Sequence, residues 1–306
     1  MIGADRKAVS WVAADWGTSH LRLWPIGADG APLGRIDSDK GMSNLKPREY
    51  EPTLLALLEP YLDPDRRLDV ICCGMAGSRQ GWTEAPYVRV PCPPPSFGSA
   101  TQIKTQDARL RVYILSGVKQ ADPADVMRGE ETQIAGVLSQ QPDFDGVICL
   151  PGTHTKWVSV QNGEITGFAT FLSGELFQLV CNHSVLRHTL AREGWDAPAF
   201  EAGCAEGAAS PDRLANALFG LRADALLSDL DPVAARSRAS GYILGMEVAA
   251  VRDEWQGRPV VIVGENEIAQ AYAAALSLQD AEAAVKDAET VTLAGLCAAR
   301  AEMMRG

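Results

Sequence analysis

The sequence is short of positive charge. Its 28 lysines and arginines stand against 39 aspartates and glutamates, a net charge of -11. A chain of that sign lacks the basic footprint that binds a nucleic-acid backbone. Its seven cysteines are an odd number without a repeated C-x-x-C spacing. They read as small buried residues of a reducing compartment. No stretch is long and apolar enough to span a bilayer. Met1 to Ser10 carries charges and lacks the apolar core of a signal peptide. The expectation is therefore a cytoplasmic protein with neither a membrane nor a nucleic-acid partner. Three common signatures are also missing: G-x-x-x-x-G-K-[ST], G-x-G-x-x-G after a strand, and H-E-x-x-H. Their absence argues against a P-loop, a dinucleotide fold and a zinc protease. Acidity does not forbid a nucleotide, because magnesium, backbone N–H groups and a helix N-terminus hold phosphates locally.

What is present points to an ordinary globular protein, with 46% hydrophobic and 22% charged residues. A chain of 306 residues suits two domains. Trp11 to Asp15 reads as a buried strand ending in an acid, His20 to Ile26 as a second and Pro32 to Ser38 as a third. A helix is predicted over Arg48 to Leu62, a strand over Leu68 to Gly74, and a helix over Ala124 to Gln140. The second half opens alike. Gly146 to Leu150, Trp157 to Val160 and Ile165 to Leu172 read as strands, with a type I′ turn at Asn162-Gly163. Helical patterns then run from Glu175 to Asp253, before a strand at Val260 to Val263 and helices at Ile268 to Leu278 and Val291 to Met304. Each half thus begins strand, glycine-threonine loop, strand, turn, strand. A chance likeness of two β-meanders is the plain alternative to a duplicated fold.

The two loops carry the chemistry that phosphate handling needs. Asp15-Trp16-Gly17-Thr18-Ser19 offers a carboxylate for magnesium, held through waters, a glycine for close approach, and two hydroxyls. Gly152-Thr153-His154-Thr155-Lys156 offers small residues, hydroxyls and a cation. Each could equally be a polar turn between strands. In Gly129-Glu130-Glu131-Thr132-Gln133 a carboxylate facing a cleft suits a general base for a hydroxyl. Acids near a helix N-terminus are also favoured by its dipole alone. Gly74 to Trp82 follows a strand and carries Ser78, Arg79 and Gln80. Arginine matches a carboxylate with paired hydrogen bonds, so Arg79 is the candidate anchor for an anionic substrate, with Lys40 as the second candidate. Gly264 closes a β-loop-α unit that could flank an adenine or ribose.

Placed in order, these pieces resemble the superfamily of sugar kinases, actin and Hsp70-type ATPases. That resemblance implies an α/β fold of two ribonuclease-H-like (actin/hexokinase-like) domains around a nucleotide cleft. Its phosphate loops would lie at Asp15 and Gly152, its connecting helix at Gly129 to Gly136 and its adenosine loop at Gly264. The chain more narrowly resembles the 2-dehydro-3-deoxygalactonokinase family. The matching strings are Asp15-Trp16-Gly17-Thr18, Ser38-Asp39-Lys40-Gly41-Met42, Gly77-Ser78-Arg79-Gln80-Gly81-Trp82, Glu84-Ala85-Pro86-Tyr87, Val126 to Gln133, Leu150 to Trp157 and Gly174-Glu175-Leu176-Phe177. The last third matches more loosely, and Gly264-Glu265-Asn266-Glu267 lacks the paired glycines common in the superfamily.

The resemblance implies ATP and Mg2+, and transfer of phosphate to the terminal hydroxyl of 2-dehydro-3-deoxy-D-galactonate in galactonate catabolism. It implies Glu130 as base, with Glu131 and Asp15 as alternatives, and Asp15 as the metal-side carboxylate. Gly17, Thr18, Ser19, Gly152, Thr153, His154, Lys156 and Gly264 would hold the nucleotide. Lys40, Gly41, Ser78, Arg79, Gln80 and Trp82 would hold the keto-sugar acid. The domains are expected at 1–138, with helix 291–306 returning to it, and at 139–290. A kinase for another sugar, a hydrolase of ATP or polyphosphate, and a sugar-responsive repressor are the rivals. Homo-oligomerisation is left open.

Overall fold

The computed structural model describes residues 9–264 and 266–305. Contacts divide the chain into two compact units. One comprises Met1–Phe144, Asn162–Gly167 and Ala288–Gly306, the other Asp145–Gln161 and Phe168–Asp287.

The first unit opens with β1 (Val9–Trp16), β2 (Leu21–Gly27) and β3 (Ile36–Ser38). Then come α1 (Tyr50–Leu58), β4 (Leu68–Gly74), β5 (Tyr87–Arg89), β6 (Thr101–Ile103), β7 (Leu110–Ile114), β8 (Gly117–Ala121), β9 (Ala124–Met127) and α2 (Glu130–Gln140). The main sheet has the order β3-β2-β1-β4-β7-β6, and β5-β8-β9 form a small second sheet. β1 pairs antiparallel with β2 and parallel with β4. β4 is buried along its whole length, which is why it reads as a nearly unbroken apolar run. Val12, Ala14, Trp16 and Leu23 pack with Tyr50, Leu54 and Leu58 of α1. Trp11, Ala13, Trp24 and Ile71 pack on the other side with Leu296 and Ala299.

The second unit contains β10 (Gly146–Leu150), β11 (Thr155–Gln161), β12 (Glu164–Phe171), α3 (Ser173–His183), α4 (Ala197–Ala209), α5 (Leu214–Leu227), α6 (Pro232–Ala250), α7 (Arg252–Trp255), β13 (Val260–Gly264), α8 (Asn266–Ser277) and β14 (Ala283–Asp287). The Asn162-Gly163 turn and the start of β12, to Gly167, group by contact with the first unit, where Ile165 and Cys92 exchange backbone hydrogen bonds. The sheet order is β12-β11-β10-β13-β14. β10 pairs antiparallel with β11 and parallel with β13, the same arrangement that β1 has with β2 and β4. Val147, Cys149, Trp157 and Ile262 form a core with Ile243, Val248 and Tyr272. The last helix, α9 (Ala288–Met303), belongs to the first unit. There Asp69 of β4 receives both Arg111 and Arg300.

Several elements depart from the sequence reading. The helix expected from Ala124 is instead the hairpin β8–β9, turning at Asp122-Pro123, and α2 begins only at Glu130. Gly129, at φ 108°, separates the two. α1 is shorter than predicted, with single 3-10 turns at Pro47–Glu49 and Glu59–Tyr61. Proline supplies no N–H to an α-helical ladder, and both turns contain one. Asn162 and Gly163 have φ 52° and 76°, the positive pair that a type I′ turn demands. All seven cysteines are free and five are buried.

Candidate active site

In the first unit the parallel pair β1–β4 sets Asp15 beside Cys73 and Trp16 beside Gly74. Candidate residues gather at this carboxyl edge, where α/β sheets usually bind ligands. The Asp15 side chain keeps 23% exposure and lies 3.5 Å from Arg22 Nη1. Cys73 Sγ is 3.7 Å from its other oxygen. Burial pushes the Asp15 carboxyl above the ordinary range, and the Arg22 charge opposes that rise.

The loop after β1 is locked to the segment around Lys40. Trp16 Nε1 donates to the Lys40 carbonyl at 2.8 Å. The N–H groups of Met42 and Ser43 donate to the carbonyls of Gly17 and Thr18 at 3.0 and 2.9 Å. Gly41 lies so close that a Cβ there would collide with the Ser19 backbone. Thus Gly17, Thr18, Ser19, Lys40 and Gly41 form one constellation, with Thr18, Ser19 and Lys40 exposed.

Gly74, at φ 85°, turns the chain out of β4 in a conformation other residues rarely adopt. A Cβ on Gly129 would touch the Gly74 Cα at 3.4 Å, so the start of α2 abuts the end of β4. Both acids fold back on the turn before the helix. Glu130 Oε2 accepts the Arg128 N–H at 3.0 Å, and Glu131 Oε2 accepts the Gly129 N–H at 2.6 Å. Glu131 is fully buried and Glu130 half-buried. Burial, then the neighbouring Glu130 charge, pushes the Glu131 carboxyl up to about 8.

Ser78 is buried, and its Oγ has no hydrogen-bond partner. Arg79 and Gln80 are exposed. Trp82 turns inward, with ring centroids 5.8 Å from Tyr50 and 6.0 Å from Trp16. Its remaining surface lines a groove of about 620 Å³ with Arg48, Glu51, Leu55 and Lys104.

The second unit holds its own set. A Cβ at Gly174 would collide with the Gly152 carbonyl, and Glu175 N donates to the Thr153 carbonyl at 2.9 Å. This docks the N-terminus of α3 against the loop after β10. His154 Nε2 lies 2.6 Å from Glu175 Oε2. The loop is braced from below by Thr155, whose hydroxyl meets Tyr272 OH at 2.7 Å. Tyr272 in turn donates to Glu247 at 3.1 Å, and Trp157 Nε1 donates to the same carboxylate at 2.7 Å. Lys156 is only 5% exposed, and its side chain has no hydrogen bond or ion pair among the described residues. Gly264 ends β13 within 3.7 Å of Pro151, measured from a Cβ built on it. Glu265 of the expected adenosine loop lies outside the described residues.

Among the described residues no group of three or more His, Cys, Asp or Glu side chains could hold a metal. Asp15 alone fits magnesium bound largely through water, the mode that ion prefers. No helix among the described residues is long and apolar enough to cross a membrane.

Sequence reasoning missed two features. Arg128 lies within the string Val126 to Gln133 and stands out there by no sequence signal, yet it is buried next to the acids. Glu247, a fully buried acid on α6, sits amid a helical pattern that gives no hint of its role under the loop.

Two sheets, each with a β-meander order extended by parallel strands, make this an actin/hexokinase-like ATPase fold. A crystal structure of an (R)-2-hydroxyglutaryl-CoA dehydratase component A from Acidaminococcus fermentans shares that fold, with TM-score 0.51 and 12% identity over 96% of this chain and 98% of the other. The chain belongs to the 2-keto-3-deoxy-galactonokinase family, whose model matches residues 15–299. It is 37% identical over 300 residues to a probable 2-dehydro-3-deoxygalactonokinase of Rhizobium meliloti (strain 1021), covering 94% of this chain and 96% of that protein. It is 34% identical over 245 residues to the 2-dehydro-3-deoxygalactonokinase of Escherichia coli (strain K12), covering 79% and 80%. A crystal structure from Sinorhizobium meliloti, assigned to the same family, superposes with TM-score 0.88 at 36% identity over 96% of both chains.

Proposed function

We propose that this chain transfers the terminal phosphoryl group of ATP to the terminal hydroxyl of 2-keto-3-deoxy-galactonate, giving the 6-phosphate. The observation that carries this reading is the family match over residues 15–299, which spans every candidate residue named above. Magnesium held at Asp15 through waters would neutralise phosphate charge. The chain's own groups do the rest. Glu130, the more accessible of the paired acids, takes the proton from the attacking hydroxyl onto a carboxylate oxygen. The substrate's hydroxyl oxygen, freed of that proton, bonds to the terminal phosphorus as the bond from phosphorus to the ADP oxygen breaks. Glu131, buried behind it, orients the turn.

Gly17, Thr18 and Ser19, and likewise Gly152, Thr153 and His154, are the residues that would supply N–H and hydroxyl donors to phosphate. Lys156, buried and without a partner among the described residues, adds a cation to that set. Gly264 flanks the nucleoside. Lys40, Gly41, Ser78, Arg79, Gln80 and Trp82 form the acceptor side, with Arg79 and Lys40 as its exposed cations. The proposal assigns the acceptor to a domain of residues 1–138 plus the returning last helix, and the nucleotide to residues 139–290. The two compact units support that division. A cytoplasmic setting is supported by seven unpaired cysteines.

The test is ADP release with 2-keto-3-deoxy-galactonate as acceptor, with the phosphate ester identified by mass spectrometry. Release that depends on the acid is expected. Equal release without any acceptor would turn the reading to a hydrolase.

A further inference from the structure

Arg128, at the junction of β9 and α2, is 9% exposed. Its Nε–H donates to the Tyr87 hydroxyl at 3.3 Å and its Nη2 to the Ala85 carbonyl at 2.8 Å. The guanidinium lies over the Tyr87 ring, 4.2 Å from the centroid. All of these partners are neutral. Glu131 is near enough to feel the charge, but its oxygens are engaged by the Gly129 N–H and the Thr132 hydroxyl. Among the described residues Arg128 has no ion pair, and its Nη1 has no hydrogen-bond partner. Nη1 sits over Gly77, where a Cβ would come within 2.7 Å of it. The next residue is Ser78, whose buried Oγ also has no hydrogen-bond partner.

Buried guanidinium groups are normally paired, and a buried donor left without an acceptor destabilises the protein that carries it. A cation without a counter-ion lying against Gly77, and an unpartnered hydroxyl on the following residue, are together suited to an anion with two oxygens. We propose that Arg128 and Ser78 form the seat of the acceptor's carboxylate, and that Arg128 is the residue selecting a sugar acid over a neutral sugar. This rests on the proposed reaction and names the group that decides its substrate class.

The location suits the task. A six-carbon acid carries its carboxylate and its terminal hydroxyl at opposite ends, so anchor and base must be held apart by a fixed span. Arg128 reaches away with its side chain to Gly77, Ala85 and Tyr87, while its backbone N–H holds Glu130. Gly77 covers Nη1, so admission of the carboxylate requires the loop 75–82 to shift. Arg79, exposed on that loop, draws the anion in, and Arg128 fixes its orientation.

The experiment compares 2-keto-3-deoxy-galactonate with its neutral primary amide as acceptors for the full chain and for Arg128→Met. Loss of a charge-assisted pair should lower kcat/KM for the acid about 30-fold or more. The amide should change less than about threefold, with the KM for ATP unaltered. Equal losses for acid and amide would reduce Arg128 to a brace for the loop and overturn the proposal. Should Arg128→Met not fold, Arg128→Lys and Ser78→Ala replace it, and an acid-specific loss in neither overturns the proposal equally. Calorimetric titration of the unmodified protein with the acid alone separates the two readings. Binding of the acid that Ser78→Ala weakens, without any ADP release, would leave the anion seat standing and sink the kinase reading.

Discussion

The two main sheets share one strand order over five strands, yet they hold their glycine-threonine loops in opposite ways. The loop after β1 is pinned from above, by the Lys40–Asn44 segment and the tight approach of Gly41. Carboxylates crowd its edge: Asp15, Glu130 and Glu131. The loop after β10 is supported from beneath by a buried chain of hydrogen bonds, Thr155 to Tyr272 to Glu247 to Trp157. Its exposed side offers the Thr153 hydroxyl, His154 paired with Glu175, and nearby the buried Lys156. A common strand order therefore carries an edge rich in acids in the first unit and a loop rich in donors in the second, which under the proposed function would move the proton and hold phosphate respectively. The division comes from side chains, since the backbone order is common to both.

The strongest way to break that comparison is to remove acids from the first unit alone. Glu130→Gln keeps shape and removes basicity, and turnover should fall about 10²–10⁴-fold with little change in the KM for ATP. Asp15→Asn should depress turnover and raise the magnesium concentration needed for half-maximal rate. Steady-state kinetics at varied magnesium measure both. A loss confined to Glu131→Gln would pass the role of base to that neighbour.

Breaking the brace in the second unit comes next. Glu247→Leu strands the Trp157 N–H in the core and leaves Tyr272 only the Thr155 hydroxyl. An orphaned buried donor costs about 1–3 kcal/mol, so urea unfolding should show a loss of about that size. In protein that remains folded, the KM for ATP should rise while the KM for the acid holds. Equal increases in both would mean the brace serves the whole fold and not the loop.

How much of this was legible beforehand follows from what each feature depends on. β1, β4, β10 and β13 are buried strands, so their apolar runs announce them. Asn162-Gly163 announces its turn because few other pairs tolerate two positive φ values. The hairpin β8–β9 was hidden, because Ala124 to Met127 has no clear alternation and merges in sequence with α2. The loops and acids were readable as strings. Which acid is buried was not, since Glu130 and Glu131 are chemically identical neighbours separated only by the facing of a helix turn. Arg128 and Glu247 were invisible as functional groups because their isolation or bracing exists only across long sequence separations.

A smaller effect concerns pH. Burial raises the Glu131 carboxyl from 4.5 to about 8, so the folded state binds a proton more tightly than the unfolded chain. Its contribution is complete below about pH 4.5 and is lost as pH rises towards 8. At about 1.4 kcal/mol per unit, the decline is on the order of a few kcal/mol. Glu131→Gln should flatten the stability profile between pH 5 and pH 8, measured by denaturant unfolding at each pH. A slope as steep as that of the unmodified chain would show that the acid is ionised without penalty.

The smallest effect sharpens the division at its surface. An acidic chain of net charge -11 repels a sugar acid unless a local cation receives it. Arg79 is exposed on the loop after β4, where solvent screens its charge. Arg79→Ala should therefore raise the KM for the acid by about tenfold at most, the loss of one attractive charge, and leave ATP nearly unaffected. Arg79→Lys keeps the charge that draws the anion in and should restore most of that loss, since the proposed seat of the two carboxylate oxygens is Arg128 with Ser78. Varying acid and ATP separately in steady-state assays reads both constants. An unchanged KM for the acid in Arg79→Ala would remove Arg79 from the acceptor side and leave Lys40, fixed beside the first loop through Trp16, as the exposed cation that meets the substrate.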